Sequence, residues 1–390
     1  MFRSTTPEKV ISFIKGSVAL TCCWPLPSAA TNNQVHRFKI IRSILFVNAS
    51  LLFFPLLYAL RVHRHDDGNL SKAICLTMAV MQNLTQTVFC MTQYDHFQRL
   101  IAEMEVCCKK AKSYERRVFQ RYVDRYSTFY GMAAIWSYMT ATVVVLGTLF
   151  TPDPFPTNAE YPFPVNFEPI RSVIFVHQAL VGLQCAGHVC INIFCALLLL
   201  FTAARFDILM IKLRTVKDDE TLIECIRNYC CVKRYAKEVI RTIRLIVLIT
   251  VVFCGVATVF SAINLIGRQP FSVKTQFLSL SAIALVEVFM CAWPASRLID
   301  AVSFGCVHYS FRFENVMQGA YDSAWYEQTP RLQKSVLLML TAQSPAVLRI
   351  QCIISALSLN YYCSFVTNVF SSFTALRVFM STDKIEKFTP

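Results

Sequence analysis

Seven stretches of apolar sequence, each long enough to cross a bilayer as a helix, constrain this chain more than any other feature. A hydrocarbon core of about 30 Å needs about twenty helical residues. The stretches run over approximately Ile41–Leu60, Ala73–Met91, Phe129–Phe150, Val173–Phe201, Leu245–Ile266, Phe277–Trp293 and Ile350–Val378. Hydrophobic residues make up 55 % of the 390 and charged residues 16 %, where a soluble domain carries about 25 % charged. One water-soluble core cannot hide that much apolar surface. Within lipid every backbone polar group must be satisfied internally, so the expected fold is an all-α membrane protein with seven transmembrane helices. The fourth stretch is too long for one perpendicular crossing and is expected to tilt or to run on beyond the membrane.

Orientation follows from Lys and Arg, which concentrate on the cytoplasmic side. The N-terminal segment and the loops after the second, fourth and sixth spans hold about 29 of the 38 basic residues, against about 9 in the remaining loops and tail. The N-terminus is therefore expected in the cytoplasm and the C-terminus outside. The expected organisation is a cytoplasmic N-terminal segment over 1–40, helices one to four over 41–201, and cytoplasmic anchor helices over 202–244. Helices five and six follow over 245–293, a second anchor segment over 294–349, the seventh helix over 350–380 and an extracellular tail over 381–390. A sequon begins at Asn69 in the first outer loop, the expected glycosylation site; those at Asn48 and Asn83 fall inside spans.

Other features exclude function classes. The formal charge of +14 sits in short loops between apolar stretches, which is the cytoplasmic bias of a membrane protein and not a nucleic-acid-binding face. Most of the 17 Cys lie in spans or cytoplasmic loops, and the doublets Cys22-Cys23, Cys107-Cys108 and Cys230-Cys231 lack metal-ligand spacing, so reduced thiols packing as small hydrophobes are expected. The seven histidines form no ligand set. No nucleophile, base and metal constellation marks an enzyme, and no cofactor is implied. The opening MFRSTTPEKVISFIKGSVAL has only a short, interrupted apolar run, so the first span is expected to direct insertion.

Two cytoplasmic stretches keep helical spacing. Tyr114, Val118, Tyr122 and Tyr126 lie on one face, as do Ile223, Ile226, Tyr229, Val232, Tyr235, Ile240 and Ile243, running directly into the fifth span. Such faces serve either an intrachain helical hairpin or contacts between subunits. The fourth, fifth and sixth helices are expected to extend below the membrane as a cytoplasmic anchor bundle.

The C-terminal third resembles insect odorant receptors. The residues that carry the likeness are Ala320-Tyr321-Asp322-Ser323-Ala324-Trp325-Tyr326, then Ser358-Leu359-Asn360-Tyr361-Tyr362 opening the last span and Ser372-Phe373-Thr374-Ala375-Leu376 near its end. Tyr321, Ser323, Trp325 and Tyr326 are the motif positions. The outer run PFPVNFEP and the segment Ala204-Arg205-Phe206-Asp207-Ile208-Leu209 agree with the same family. The T-Y-x5-Q-F ending of the related gustatory receptors is absent. Between Trp293 and Tyr321 the chain is about a dozen residues longer than the family pattern, with the surplus near 301–313. The resemblance implies a ligand-binding tuning subunit of a tetrameric, non-selective cation channel. It would assemble with odorant co-receptor subunits, bind a small apolar odorant or pheromone in the outer half of the bundle and pass cations through a central pore lined by the seventh helices. Its place would be the plasma membrane of olfactory sensory neuron dendrites.

The last span carries a polar stripe, Asn360, Ser364, Thr367, Asn368, Ser371 and Ser372, followed by Ala375, in steps of one helix face. Polar groups in lipid are costly, so this face meets either a water-filled pore or other helices through hydrogen bonds. It holds no carboxylate ring, so a hydrophobic constriction that opens by wetting is expected. Ala375 stands where the family often carries a bulky gate residue, which leaves most of the gate to co-receptor subunits. Ligand-lining candidates in the outer half are Met78, Met81 and Gln82 on the second helix, Tyr138, Thr142 and Leu146 on the third, Phe175, Gln178 and Leu183 on the fourth, and Phe277, Leu280 and Ser281 on the sixth. Two other classes compete. A G-protein-coupled receptor would have its N-terminus outside and commonly a disulfide to the second outer loop, for which this loop has no cysteine. A secondary transporter would carry midplane charges and internal repeats, whereas Glu287 is the one clear acid deep in a span and no repeat is found.

Overall fold

Capping residues open the helices where the sequence supplies them. Thr6 accepts from the Lys9 amide with Pro7 at the first helical position, Thr31 and Gln34 close a reciprocal capping box, and Asp66 accepts from the amides of Gly68 and Asn69. The structure, a computed structural model, describes residues 5–148, 155–157, 159–165, 167–216, 218–266, 271–302, 325–327, 329–341 and 356–386. Among these, ten α-helices follow in order: α1 Pro7–Ser17, α2 Asn32–Val62, α3 Asp67–Thr92, α4 Tyr94–Lys110, α5 Ser113–Gly147, α6 Ile170–Arg214, α7 Asp219–Ile266, α8 Phe271–Val302, α9 Pro330–Thr341 and α10 Leu359–Glu386.

The protein is an all-α, seven-helix membrane protein. Helices α2, α3, α5, α6, α7 and α8 are each long and apolar enough to span a bilayer; α10, interrupted by Asn, Ser and Thr, is the seventh. The centre belongs to α6, which touches α3, α5, α7 and α8. Its most apolar stretch is 89 % buried, against 17 % for that of α2. A helix apolar all round has no face to give to water, so α6 takes the middle and α2 the rim.

Several helices pass the ends of the apolar runs without a break. The 45 residues of α6 and 48 of α7 measure roughly 70 Å each at 1.5 Å per residue, more than twice the hydrocarbon thickness. Helical hydrogen bonding does not stop where hydropathy falls. Likewise α5 joins the cytoplasmic face of Val118, Tyr122 and Tyr126 to the third span, and α8 continues through Pro294 to Val302.

The inner extensions pack on one another within the chain. Tyr235 Oη donates to the Leu100 carbonyl at 3.1 Å, and Arg205 pairs with Glu103 at 2.6 Å while lying over the Phe201 and Tyr235 rings. Asp207 accepts from Arg297 at 2.7 Å and from Tyr122 Oη at 2.8 Å, tying α6 to α8 and α5. Burial pushes the Asp207 carboxyl above the usual carboxylate range, opposed by Arg297 and Tyr122. On α7 the covered face is set by Leu222, Cys225, Tyr229, Val232, Tyr235 and Ile243, while Ile223 points away, 52 % exposed.

The N-terminal segment, expected to stay in the cytoplasm, enters the bundle. The Ser17 carbonyl at the end of α1 accepts from Tyr138 Oη at 2.6 Å, and Trp24 packs on Phe194 with ring centroids 5.2 Å apart. Gly187 of α6 makes the approach possible, since a Cβ there would stand 3.2 Å from both Thr21 and Tyr138. The reason is composition: Ile14, Val18, Cys23 and Trp24 are all buried.

Of the motif residues, Trp325 and Tyr326 form a 3-10 turn before α9, where the Tyr326 carbonyl accepts from Gln333. Tyr321, Ser323, the surplus stretch and the start of the expected seventh span lie outside the described residues. Asn69 sits in the first turn of α3, its amide donating to Asp66 at 2.8 Å, with Ser71 of the same sequon buried. The sequon is therefore part of a helix and not of an open loop.

Candidate ligand cavity and the last helix

A cavity of about 170 Å³ lies among the outer halves of α2, α3, α5, α6, α7 and α8. A dry cavity of about 150 Å³ is enough to hold benzene. Its walls come from short apolar side chains such as Leu52, Leu56, Ala79, Val144, Val145, Val181 and Ile283. The outer segment before α6 forms the roof. Gln178, fully buried, accepts from the Thr157 amide at 3.0 Å and donates to Tyr161 Oη at 3.1 Å. The Glu160 amide donates to the Pro55 carbonyl, and the Glu160 carboxylate lies 3.2 Å from His63 Nε2.

The floor is polar. Glu287 of α8 accepts at Oε2 from Gln82 Nε2 of α3 at 2.8 Å, from Asn192 Nδ2 of α6 at 3.1 Å and from the Cys254 thiol of α7 at 3.6 Å. Thr250 donates to Asn192 Oδ1 at 2.9 Å and accepts from Gln86 Nε2 at 2.9 Å. Four helices are thus joined around one buried carboxyl group. Such groups are expensive inside a membrane and mark functional sites.

Of the residues expected to line a ligand site, Met78, Gln82, Gln178 and Leu280 lie on this cavity. The two glutamines spend their amides on the roof and the floor. Met81 faces a groove between α3 and α7, one helical step away from Met78 and Gln82. Tyr138 is turned to the N-terminal segment; Thr142 is exposed and bonded to the Tyr138 carbonyl. Leu146 is exposed, Phe175, Leu183 and Ser281 are half-buried and Phe277 is buried, all off the cavity wall. Glu287, His188, Asn192 and Thr250 were not among the candidates. Their signal was present: polar residues in otherwise apolar runs, on helices too long to be anything but spans.

A larger cavity of about 270 Å³ lies at the inner end, between α1 and α4, α5 and α6, walled by Phe13, Met104, Phe119, Tyr122, Tyr126 and Phe201 among others. Among the described residues its wall presents no carboxylate or imidazole.

The last helix is covered along one narrow side and open elsewhere, with Val366, Phe370 and Val378 exposed as well as the polar stripe. Phe365 and Phe373 are buried, while Asn360, Ser364, Thr367, Asn368, Ser371, Ser372 and Ala375 are exposed. The hydroxyls of Ser364 and Thr367 donate back to the carbonyls of Asn360 and Cys363, so they need no neighbouring helix. Asn368 and Ser372 edge a groove beside α7. The contacts that hold α10 begin behind the outer cavity. Phe365 rests on Gly255, next to Cys254 of the floor, with 3.4 Å from the ring to an added Cβ. Tyr362 meets Phe289, two residues from Glu287, edge to face with ring centroids 5.3 Å apart.

A family model described as 7tm Odorant receptor matches residues 68–370. No curated protein matches the sequence. Among solved structures the chain is similar to the insect olfactory receptor OR5 from Machilis hrabei, with a TM-score of 0.77 at 13 % identity over 95 % of this chain and 97 % of that one. It is similar also to the same receptor in complex with eugenol, with a TM-score of 0.76 at 13 % identity over 95 % of this chain and 98 % of that one.

Proposed function

The chain belongs to the 7tm odorant receptor family, and from that premise we propose that it is the ligand-binding, tuning subunit of an odorant-gated, non-selective cation channel. It is a multi-pass membrane receptor and not an enzyme. The single observation that carries the channel reading is the stripe on α10: seven small or polar residues along one helix are exposed while Phe365 and Phe373 hold the helix to the bundle, with Val366, Phe370 and Val378 exposed beside the stripe. Lipid would penalise that stripe. Water between subunits would not.

The outer cavity is the proposed ligand site. Its size suits a small odorant, and one fold relative binds eugenol. Each Å² of apolar ligand surface removed from water contributes about 25 cal/mol. The cavity and α10 lie on opposite sides of α7 and α8. A ligand that fits better when these two helices adopt one arrangement shifts the population toward it. Phe365 on Gly255 and Tyr362 on Phe289 then carry that arrangement to the pore-facing helix. The constriction is apolar and opens by wetting. Because this chain offers only Ala375 there, co-receptor subunits supply most of the gate in a heterotetramer, at the plasma membrane of olfactory sensory neuron dendrites.

The test is to express the chain with and without an odorant co-receptor and screen volatiles and cuticular hydrocarbons for current under G-protein block. Current that requires both chains and survives the block is expected. Ligand-evoked current lost under the block contradicts direct gating, and full current from this chain alone contradicts the dependence on a partner.

A further inference from the structure

We propose that the outer cavity selects ligands bearing a hydroxyl group, an alcohol or phenol on a small apolar skeleton, held between the His188 imidazole and the free oxygen of Glu287. This rests on the cavity being the ligand site and names the chemistry it reads.

Most polar groups on the cavity wall are already committed. Ser137 donates to the Ala186 carbonyl and Thr140 pairs with Ser279. Gln178 is spent on the roof, Gln82 on Glu287, and Ser261 lies against Cys75. His188 is different. It is 3 % exposed, lines the cavity and has no side-chain hydrogen-bond partner at either ring nitrogen; the backbone of Cys185, three residues back, lies within reach of the ring. At the floor, all three hydrogen bonds to Glu287 fall on Oε2, and among the described residues Oε1 takes none. The two groups are near each other: Asn192, which donates to Glu287, stands four residues after His188 on α6, the spacing of one helix face.

A neutral imidazole carries one N–H and one lone pair. A hydroxyl both donates and accepts, so its oxygen takes the imidazole N–H while its hydrogen goes to Glu287 Oε1. An ether or ketone only accepts and a hydrocarbon does neither, so each leaves a buried group unpaired, which the site penalises; an ammonium only donates, and loses its hydration on entering an apolar cavity. The remaining orphan on the wall, Thr157 Oγ1, belongs to the roof.

The experiment records currents from this receptor with its co-receptor, using matched sets on skeletons that activate the wild type: alcohol, methyl ether, hydrocarbon and primary amine. The expected half-maximal concentration of the alcohol is about ten- to hundredfold below those of its matched partners. His188→Phe is expected to erase that gap while the ether and hydrocarbon responses persist, which also shows that the variant folds. Alcohols no more potent than their ethers, amines more potent than alcohols, or a full alcohol preference in His188→Phe overturn the inference. So does a preference lost in Thr157→Val and kept in His188→Phe. If His188→Phe does not reach the surface, the wild-type series decides. Ala79→Trp and Val144→Trp separate the two layers. If they leave every response unchanged, the cavity itself is not the ligand site. If they abolish responses and no alcohol preference exists, the hydroxyl inference alone fails.

Discussion

Arg297 and Asp207 show how much single residues hold at the inner end. Their side chains are only 9 % and 14 % exposed and meet at 2.7 Å, with Tyr122 completing the set. Removing one partner of a buried pair costs about 3–5 kcal/mol, because the other charge is left unpaired, whereas replacing both with apolar groups is often neutral. Arg297→Met is therefore expected to lower the melting temperature of detergent-purified protein sharply, and Asp207→Leu combined with it to recover most of the loss. Equal losses in the single and the double variant contradict this. The sequence displayed Asp207 within a family-like segment but not its partner, since Arg297 lies 90 residues away and no periodicity spans such a distance. Cavity-lining residues were partly legible for the same reason. Helical spacing puts Met81 and Gln82 on either side of Met78, about 100° apart on the same helix. Which of those faces meets a cavity depends on how α3 leans on α7, and that is a matter of tertiary packing.

At the scale of elements, the spans were legible because twenty apolar residues in a row have one stable destination. Their ends were less so. Hydropathy marks where lipid stops, while helices stop where a cap or a missing hydrogen bond ends them, so α5, α6, α7 and α8 all run on. The entry of residues 7–24 into the bundle was hidden, since a short apolar stretch interrupted by Lys15 and Gly16 reads as a surface segment until Gly187 provides room for it. The contact between α7 and α10 offers a test of how the cavity reaches the last helix. A Cβ at Gly255 fits at 3.4 Å from Phe365, in ordinary contact, so Gly255→Ala is expected to behave as wild type. Gly255→Val drives further carbons into the ring, at an overpacking cost of about 1–3 kcal/mol. It is expected to change ligand-free current or to shift the dose–response more than about threefold. Unchanged behaviour on both counts would remove this contact from the route.

For the whole molecule, the governing fact is that among the described residues α4, α5, α6 and α7 cover much of one another's inner faces, whereas the polar stripe of α10 is left uncovered. The measurement that bears on this most directly is cysteine accessibility during ligand-evoked current, in a Cys363→Ser background because Cys363 is itself exposed. Cysteines at Ser364, Thr367, Ser371 and Ala375 are expected to react with a water-soluble thiol reagent and block the current, while cysteines at Phe365 and Phe373 stay inert. Inert cysteines all along the stripe, with current flowing undiminished, would mean that the ions take another route.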